Sequence, residues 1–227
     1  MSFNFSKGLK CARKLYGGLN ERTEDMCIQT EKCLFCKIID KEIPIVSLDR
    51  VNDEPNDFVV SVTANHYLGG KQAANHLVDC GCKKLLDLYG PLEFEPMYLR
   101  KKGFLEEATK RNASVDAVPF HSDYDVLKIA KEYDGVFVWN DLSAVTFITK
   151  CLENGISIPD DLQIIGYDDI ELLQYVYPKI TTISQPMSEL ANEAFKMILK
   201  MITTKEKLSK NIILDTDLVV RDTTKGI

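Results

Sequence analysis

Five apolar, β-rich runs in this sequence are each followed by polar side chains. Asp49 follows IPIVSL (43–48), and Arg100 lies just beyond LLDLYGP (85–91). Asn140 and Asp141 follow VFVW (136–139), Asp168 and Asp169 follow LQIIGY (162–167), and Gln185 closes ITTIS (180–184). In an open parallel sheet, ligands bind at the carboxyl ends of the strands, where loops converge and helix N-termini point inward. Carboxylates accept from hydroxyls, an arginine donates as a fork, and amides do both. The five positions together therefore suit a small polyhydroxylated ligand. Taken singly, each is more readily a helix cap or turn residue, Asp141 and Asp169 above all. The set carries the binding reading, not any member of it.

Other motifs carry less. Cys33-Leu34-Phe35-Cys36 has the spacing of a zinc or redox pair, but no second CxxC or His pair accompanies it. Gly69-Gly70-Lys71-Gln72 grazes a phosphate loop, yet Gln72 stands where Ser or Thr is required and the stretch sits inside a helical pattern. His66, His76 and His121 pair with no nucleophile, and neither GxSxG nor HExxH occurs. The sequence thus predicts no catalytic residue, no metal and no cofactor, and a protein that is not an enzyme.

The elements that must position the polar set alternate. Strand runs at 43–48, 58–62, 85–89, 136–139 and 162–166 are interleaved with helical runs at 68–78, 96–112, 124–133 and 140–153. Asn154-Gly155 ends the last of these as a left-handed cap. A helix over 186–202, with Pro186 suited to its first turn, precedes a last strand at 214–220. In the helix after VFVW, Leu142, Val145, Ile148 and Leu152 are expected to share the inner face. Strands that are apolar throughout imply a parallel sheet covered on both faces, an α/β doubly wound architecture. Residues 1–42 are the exception: helix-like, Cys-rich and without a strand run.

Composition bounds the partners. The chain has 227 residues, 45% of them hydrophobic, with 28 Lys+Arg against 34 Asp+Glu for a net charge of −6. That balance argues against a free-standing nucleic-acid clamp, which needs clustered cations. No run approaches a membrane span. The seven cysteines (11, 27, 33, 36, 80, 82 and 151) form no even framework, and MSFNFSKGLK has no apolar signal core, so a reducing cytoplasm is expected.

At these residues the chain resembles the effector-binding core of the lactose-repressor/galactose-repressor (LacI) family of bacterial transcription regulators. The stretches that carry the resemblance are IPIVSLDR (43–50), the 65–91 segment ending in LLDLYGP, LRKKGFLEEA (99–108), 136–186 with its Asn-Asp, IGYDD and ITTIS motifs, and LVVRDTT (218–224). They span about four-fifths of the chain in family order. The resemblance implies a type I periplasmic-binding-protein-like fold, with two lobes joined by three crossovers and a sugar-like effector between them. The lobes would be 1–62 with 185–210 and 63–184 with 211–227, the first incomplete because residues 1–42 cannot hold the strand–helix units that the family places there. By position, Asp168 in IGYDD resembles the family's main hydroxyl-binding carboxylate, and Arg100 its effector-contacting arginine. Asn140 and Gln185 resemble further contacts, Asp49 is another candidate, Tyr124 sits where an aromatic stacks on the ligand or packs in the core, and Phe3 and Phe5 are candidate cleft aromatics. No residue matches the family's helix-turn-helix headpiece, so operator DNA is expected to be bound by the parent protein, as a homodimer in the cytoplasm. The rival expectation is an extracytoplasmic sugar-binding protein of a transport system, which shares the fold but needs an export signal.

Overall fold

The computed structural model describes residues 41–49, 58–204 and 211–226. Phe3, Phe5, Arg50, Cys11, Cys27 and the Cys33–Cys36 pair lie outside the described residues. The chain divides into two compact units, one from residues up to Thr63 with Ser188–Ile213, the other from Ala64–Met187 with Leu214–Ile227.

In the first unit β1 (Ile45–Leu48) pairs in parallel with β2 (Val59–Ala64), and β8 (Ile212–Leu214) completes a three-stranded sheet in the order β1-β2-β8. Helix α5 (Met187–Thr204) buries Leu190 and Met201. Asn211 Oδ1 accepts from the Ser61 amide at 3.2 Å, tying the edge of β8 to β2.

The second unit is a six-stranded sheet in the order β4-β3-β5-β6-β7-β9. Its strands are β3 (Lys84–Tyr89), β4 (Ser114–Pro119), β5 (Gly135–Val138), β6 (Gln163–Asp168), β7 (Thr181–Ser184) and β9 (Asp217–Val219). All neighbours are parallel except β9, which runs antiparallel to β7. Parallel neighbours need crossovers, and helices supply most of them. Helices α1 (His66–Asp79) and α2 (Glu95–Lys110) lie over one face, where Leu77, Leu85, Phe104, Phe137 and Ile165 are wholly or almost wholly buried. Helices α3 (Val126–Glu132) and α4 (Asp141–Glu153) cover the other, over Leu86, Leu88, Val136, Val138 and Ile164. The alternation along β3, with Leu85 to one side and Leu86 and Leu88 to the other, is the period-2 pattern of a strand buried on both faces.

Three readings of the sequence need correction. The segment 214–220 is not one strand: β8 and β9 belong to different sheets, with Thr216 buried between them. Strand β4 was not expected, because SVDAVP is an edge strand of exposed and half-buried residues and lacks an apolar run. In α4, Ile148 is buried and Val145 half-buried against the core as expected, but Leu142 and Leu152 are exposed and the buried stripe is Asp141, Ala144, Phe147, Ile148 and Cys151. The stripe that packs on the sheet is centred on Phe147 and Ile148, with the small Ala144 and Cys151 letting the helix approach the strands.

Helices α1 and α2 cross with their backbones touching. A Cβ on Gly70 would stand 2.1 Å from the Arg100 carbonyl oxygen, and one on Gly103 the same distance from that of Tyr67. This crossing brings Lys71 to within 3.3 Å of the buried Glu107 carboxylate. It also sets the depth at which Arg100 enters the unit.

Candidate functional site

Arg100 is only 4% exposed although it lies on a helix that reads as amphipathic. Pro96, in the first turn of α2, is permitted there because that amide has no helical partner. One turn on, the Arg100 guanidinium meets four groups. Its Nη1 donates to the Trp139 carbonyl at 2.8 Å, and its Nη2 lies 3.3 Å from Asp168 Oδ1. Its Nε donates to His66 Nδ1 at 3.4 Å, and its central carbon sits 3.6 Å from the centre of the Tyr167 ring. A buried cation without such partners would be strongly destabilising.

Asp168 ends β6 and is shared. Its Oδ1 takes the Arg100 ion pair and also accepts from Gln185 Nε2 at 2.7 Å. The register explains the second contact: Asp168 pairs with Ser184 across β6 and β7, so the next residue on β7 reaches it. Asp168 and Asp169 have φ values of 111° and 55°, two consecutive positive-φ residues that are not glycine. Such conformations cost about 1–3 kcal/mol each and persist where the surroundings over-determine them. Arg221 holds the second at 2.6 Å from Asp169 Oδ1 while donating to the Ile180 carbonyl at 2.9 Å.

Behind this pair lies Asp141, fully buried at the start of α4. It accepts from Thr182 Oγ1 at 2.6 Å and from the Ile170 amide at 3.0 Å. Burial pushes its carboxyl up to about 6. Gly166 makes room for it, since a Cβ there would stand 2.3 Å from Asp141 Oδ1. A glycine inside a strand thus marks a close approach, and this one seats the carboxylate that anchors the turn after β6.

The structure brings Arg100, Asp168 and Gln185 into one contact group at the carboxyl ends of the strands. Asn140 lies beside it in the chain, following Trp139, and its side chain caps α4 by accepting from the Ser143 amide at 2.8 Å. Tyr124 donates to the Pro119 carbonyl, and its ring lies 3.6 Å from that of His121 and edge-on to Phe147. Burial pushes its phenol up to about 12. Asp49, in the first unit, has φ 58° and accepts from Thr63 Oγ1 at 3.1 Å. Sequence reasoning missed His66, Tyr167 and the Trp139 carbonyl. Gly69-Gly70 was the available signal: a Cβ on Gly69 would stand 2.6 Å from the Tyr167 hydroxyl, so the pair marks where a ring and a second helix press on α1. Among the described residues, no group of three or more His, Cys, Asp or Glu is arranged to hold a metal, and no helix is long and apolar enough to cross a membrane.

Comparison with known proteins agrees with this architecture. The periplasmic binding protein-like domain matches residues 74–224. The ribose operon repressor of Halalkalibacterium halodurans is 30% identical over 232 residues, covering 98% of this chain and 69% of that protein. The HTH-type transcriptional repressor PurR of Vibrio vulnificus is 36% identical over 170 residues, covering 70% of this chain and 51% of that protein. The crystal structure of a periplasmic binding protein/LacI transcriptional regulator from Alkaliphilus metalliredigens, complexed with D-xylulofuranose, is similar with a TM-score of 0.72 at 34% identity. It covers 81% of this chain and 71% of that one. Fold and matches together define an α/β core of the type I periplasmic-binding-protein-like class. Within that class the chain belongs to the LacI family of transcription regulators. It spans from about half to about seven-tenths of the length of these curated relatives.

Proposed function

We propose that this chain is the effector-sensing core of a DNA-binding transcription regulator and that its effector is a small sugar, with a five-carbon sugar such as D-ribose the first candidate. The observation that carries the reading is the Arg100–Asp168–Gln185 group, which combines a carboxylate acceptor, a forked donor and an amide at the strand ends. Vicinal hydroxyls are recognised by such a mixture, because each hydroxyl both donates and accepts. Two relatives support the class of ligand: one is named a ribose operon repressor and one is complexed with D-xylulofuranose. Asp49, Tyr124 and Asn140 are proposed as further contacts.

In this reading the lobes are 1–62 with 185–210 and 63–184 with 211–227. Effector binding shifts a conformational equilibrium through its differential affinity for two states, and operator affinity follows. The operator is bound by the whole protein, as a dimer of this chain in the cytoplasm, and the core itself performs no catalytic step.

A thermal-shift series with D-ribose, D-xylulose, D-glucose and hypoxanthine tests the ligand class. A bound ligand stabilises by mass action, about 2.7 kcal/mol at a hundredfold excess over Kd. A shift with one of the pentoses is expected. A shift with hypoxanthine alone would replace the sugar by a purine, and no shift with any of the four would remove the reading.

A further inference from the structure

We propose that His66 is a positioning residue for the effector-contacting arginine: its imidazole presents Nδ1 as an acceptor to Arg100 Nε and so sets the rotation of the guanidinium between Asp168 and Trp139. The proposal rests on the reading of Arg100 as an effector contact. His66 is 1% exposed and is the first residue of α1. Its Nδ1 meets two groups, Arg100 Nε at 3.4 Å and the Tyr167 hydroxyl at 3.1 Å. An arginine has donors and no acceptor. In the contact with Arg100, Nδ1 is therefore the acceptor.

Two positive features adjoin the ring. The guanidinium itself is a full positive charge in contact with the imidazole. The first turn of α1, capped by Asn65 at 3.1 Å from the Leu68 amide, adds the partial positive charge of a helix N-terminus.

The guanidinium is otherwise held at two of its nitrogens, by the Trp139 carbonyl through Nη1 and by Asp168 through Nη2. The Tyr167 ring fixes its plane by stacking, but a stacked plane can turn about its own normal. A third contact at Nε removes that freedom. Nη2 then faces Asp168 Oδ1 in one orientation, and any hydroxyl bound by this ion pair finds its donor already placed. His66 acts through Arg100, so its loss is felt at the ligand only while Arg100 is present.

Two measurements on the purified chain test this. In the first, 15N NMR follows the Arg100 Nε–Hε signal and its exchange with water. It should be slow in the wild type and in His66→Asn, whose side-chain oxygen reproduces the Nδ1 acceptor, and fast in His66→Leu. In the second, calorimetric titration with D-ribose should show His66→Leu weakened about tenfold or more and His66→Asn within about threefold of wild type. In an Arg100→Lys background His66→Leu should change the affinity less than about twofold, whereas a purely structural role would weaken both backgrounds alike. Should the leucine variant not fold, His66→Ala takes its place. Wild-type exchange in the truncated variant, or an equal loss of affinity in both backgrounds, overturns the proposal. Absence of D-ribose binding in the wild type counts against the sugar reading, and the exchange series then decides the role of His66 alone.

Discussion

The guanidinium carbon of Arg100 lies 3.6 Å from the centre of the fully buried Tyr167 ring. A cation stacked on an aromatic face in a desolvated setting gains about 2 kcal/mol. The contact explains how a charged residue on α2 can be buried beside β6, and it fixes the plane in which Arg100 offers its donors to Asp168. Tyr167→Phe keeps the stack and removes the hydroxyl that meets His66, so a loss of about 1 kcal/mol in urea unfolding is expected. Tyr167→Leu removes the ring and should cost about 3 kcal/mol or more. Equal losses for the two would show that the hydroxyl, not the ring, supports Arg100.

The α1–α2 crossing leaves no room for a methyl group. Gly70→Ala would press on the Arg100 backbone carbonyl, which cannot rotate away, and should cost more than about 2 kcal/mol and lower effector affinity by displacing Arg100. Gly226→Ala meets nothing within 4 Å and should be neutral. Thermal unfolding of both variants checks this, and a Gly70→Ala protein as stable as wild type would show that the helices can separate without penalty.

Stability should fall as pH rises across the neutral range. Asp87 is buried in the middle of β3 with Oδ2 unpartnered, and burial pushes its carboxyl up to about 8. Asp141 is pushed up to about 6 by the same cause. A carboxyl whose pKa is higher folded than unfolded holds more protons in the folded state between those two values. Its contribution is therefore greatest below about pH 4 and is lost as pH climbs through 6 for Asp141 and 8 for Asp87. Asp87→Asn removes one of the two titrations, so its stability relative to wild type should rise from pH 4 to pH 8 and then level, by more than about 1 kcal/mol in urea melts. A constant difference over that range would mean that Asp87 has an ordinary carboxylate pKa in the folded state.

Gln185 supports Asp168 from β7 at 2.7 Å. Gln185→Ala should weaken sugar binding about tenfold, through loss of one amide contact to the ligand or its carboxylate, with little change in the unfolding midpoint. A large fall in the midpoint at unchanged affinity would assign Gln185 to folding instead.

Much of the larger unit was legible because its strands are buried on both faces. VFVW and LQIIGY admit no other environment, and Asn154-Gly155 ends α4 with Gly155 at φ 75° as expected. The polar residues after those strands were legible for the same reason, since a buried strand must end where its backbone can turn. What did not show is whatever depends on packing between elements. Strand β4 has no apolar run because it lies at the sheet edge. The burial of Arg100 is invisible in LRKKGF, where an arginine among lysines reads as solvated, and only the two small residues on the facing helix betray it. Two leucines of the expected α4 face are exposed because the sheet selects the neighbouring stripe of Ala144, Phe147, Ile148 and Cys151, a choice made by packing and not by leucine content.

The most direct measurement is calorimetric titration of D-ribose into the wild type and Asp168→Asn, which keeps the shape of the side chain and removes its charge. The account predicts a saturable 1:1 isotherm for the wild type and a loss of at least about a hundredfold for the variant, from one charged acceptor withdrawn from the ligand and from Arg100. Equal affinities in two folded proteins would contradict it.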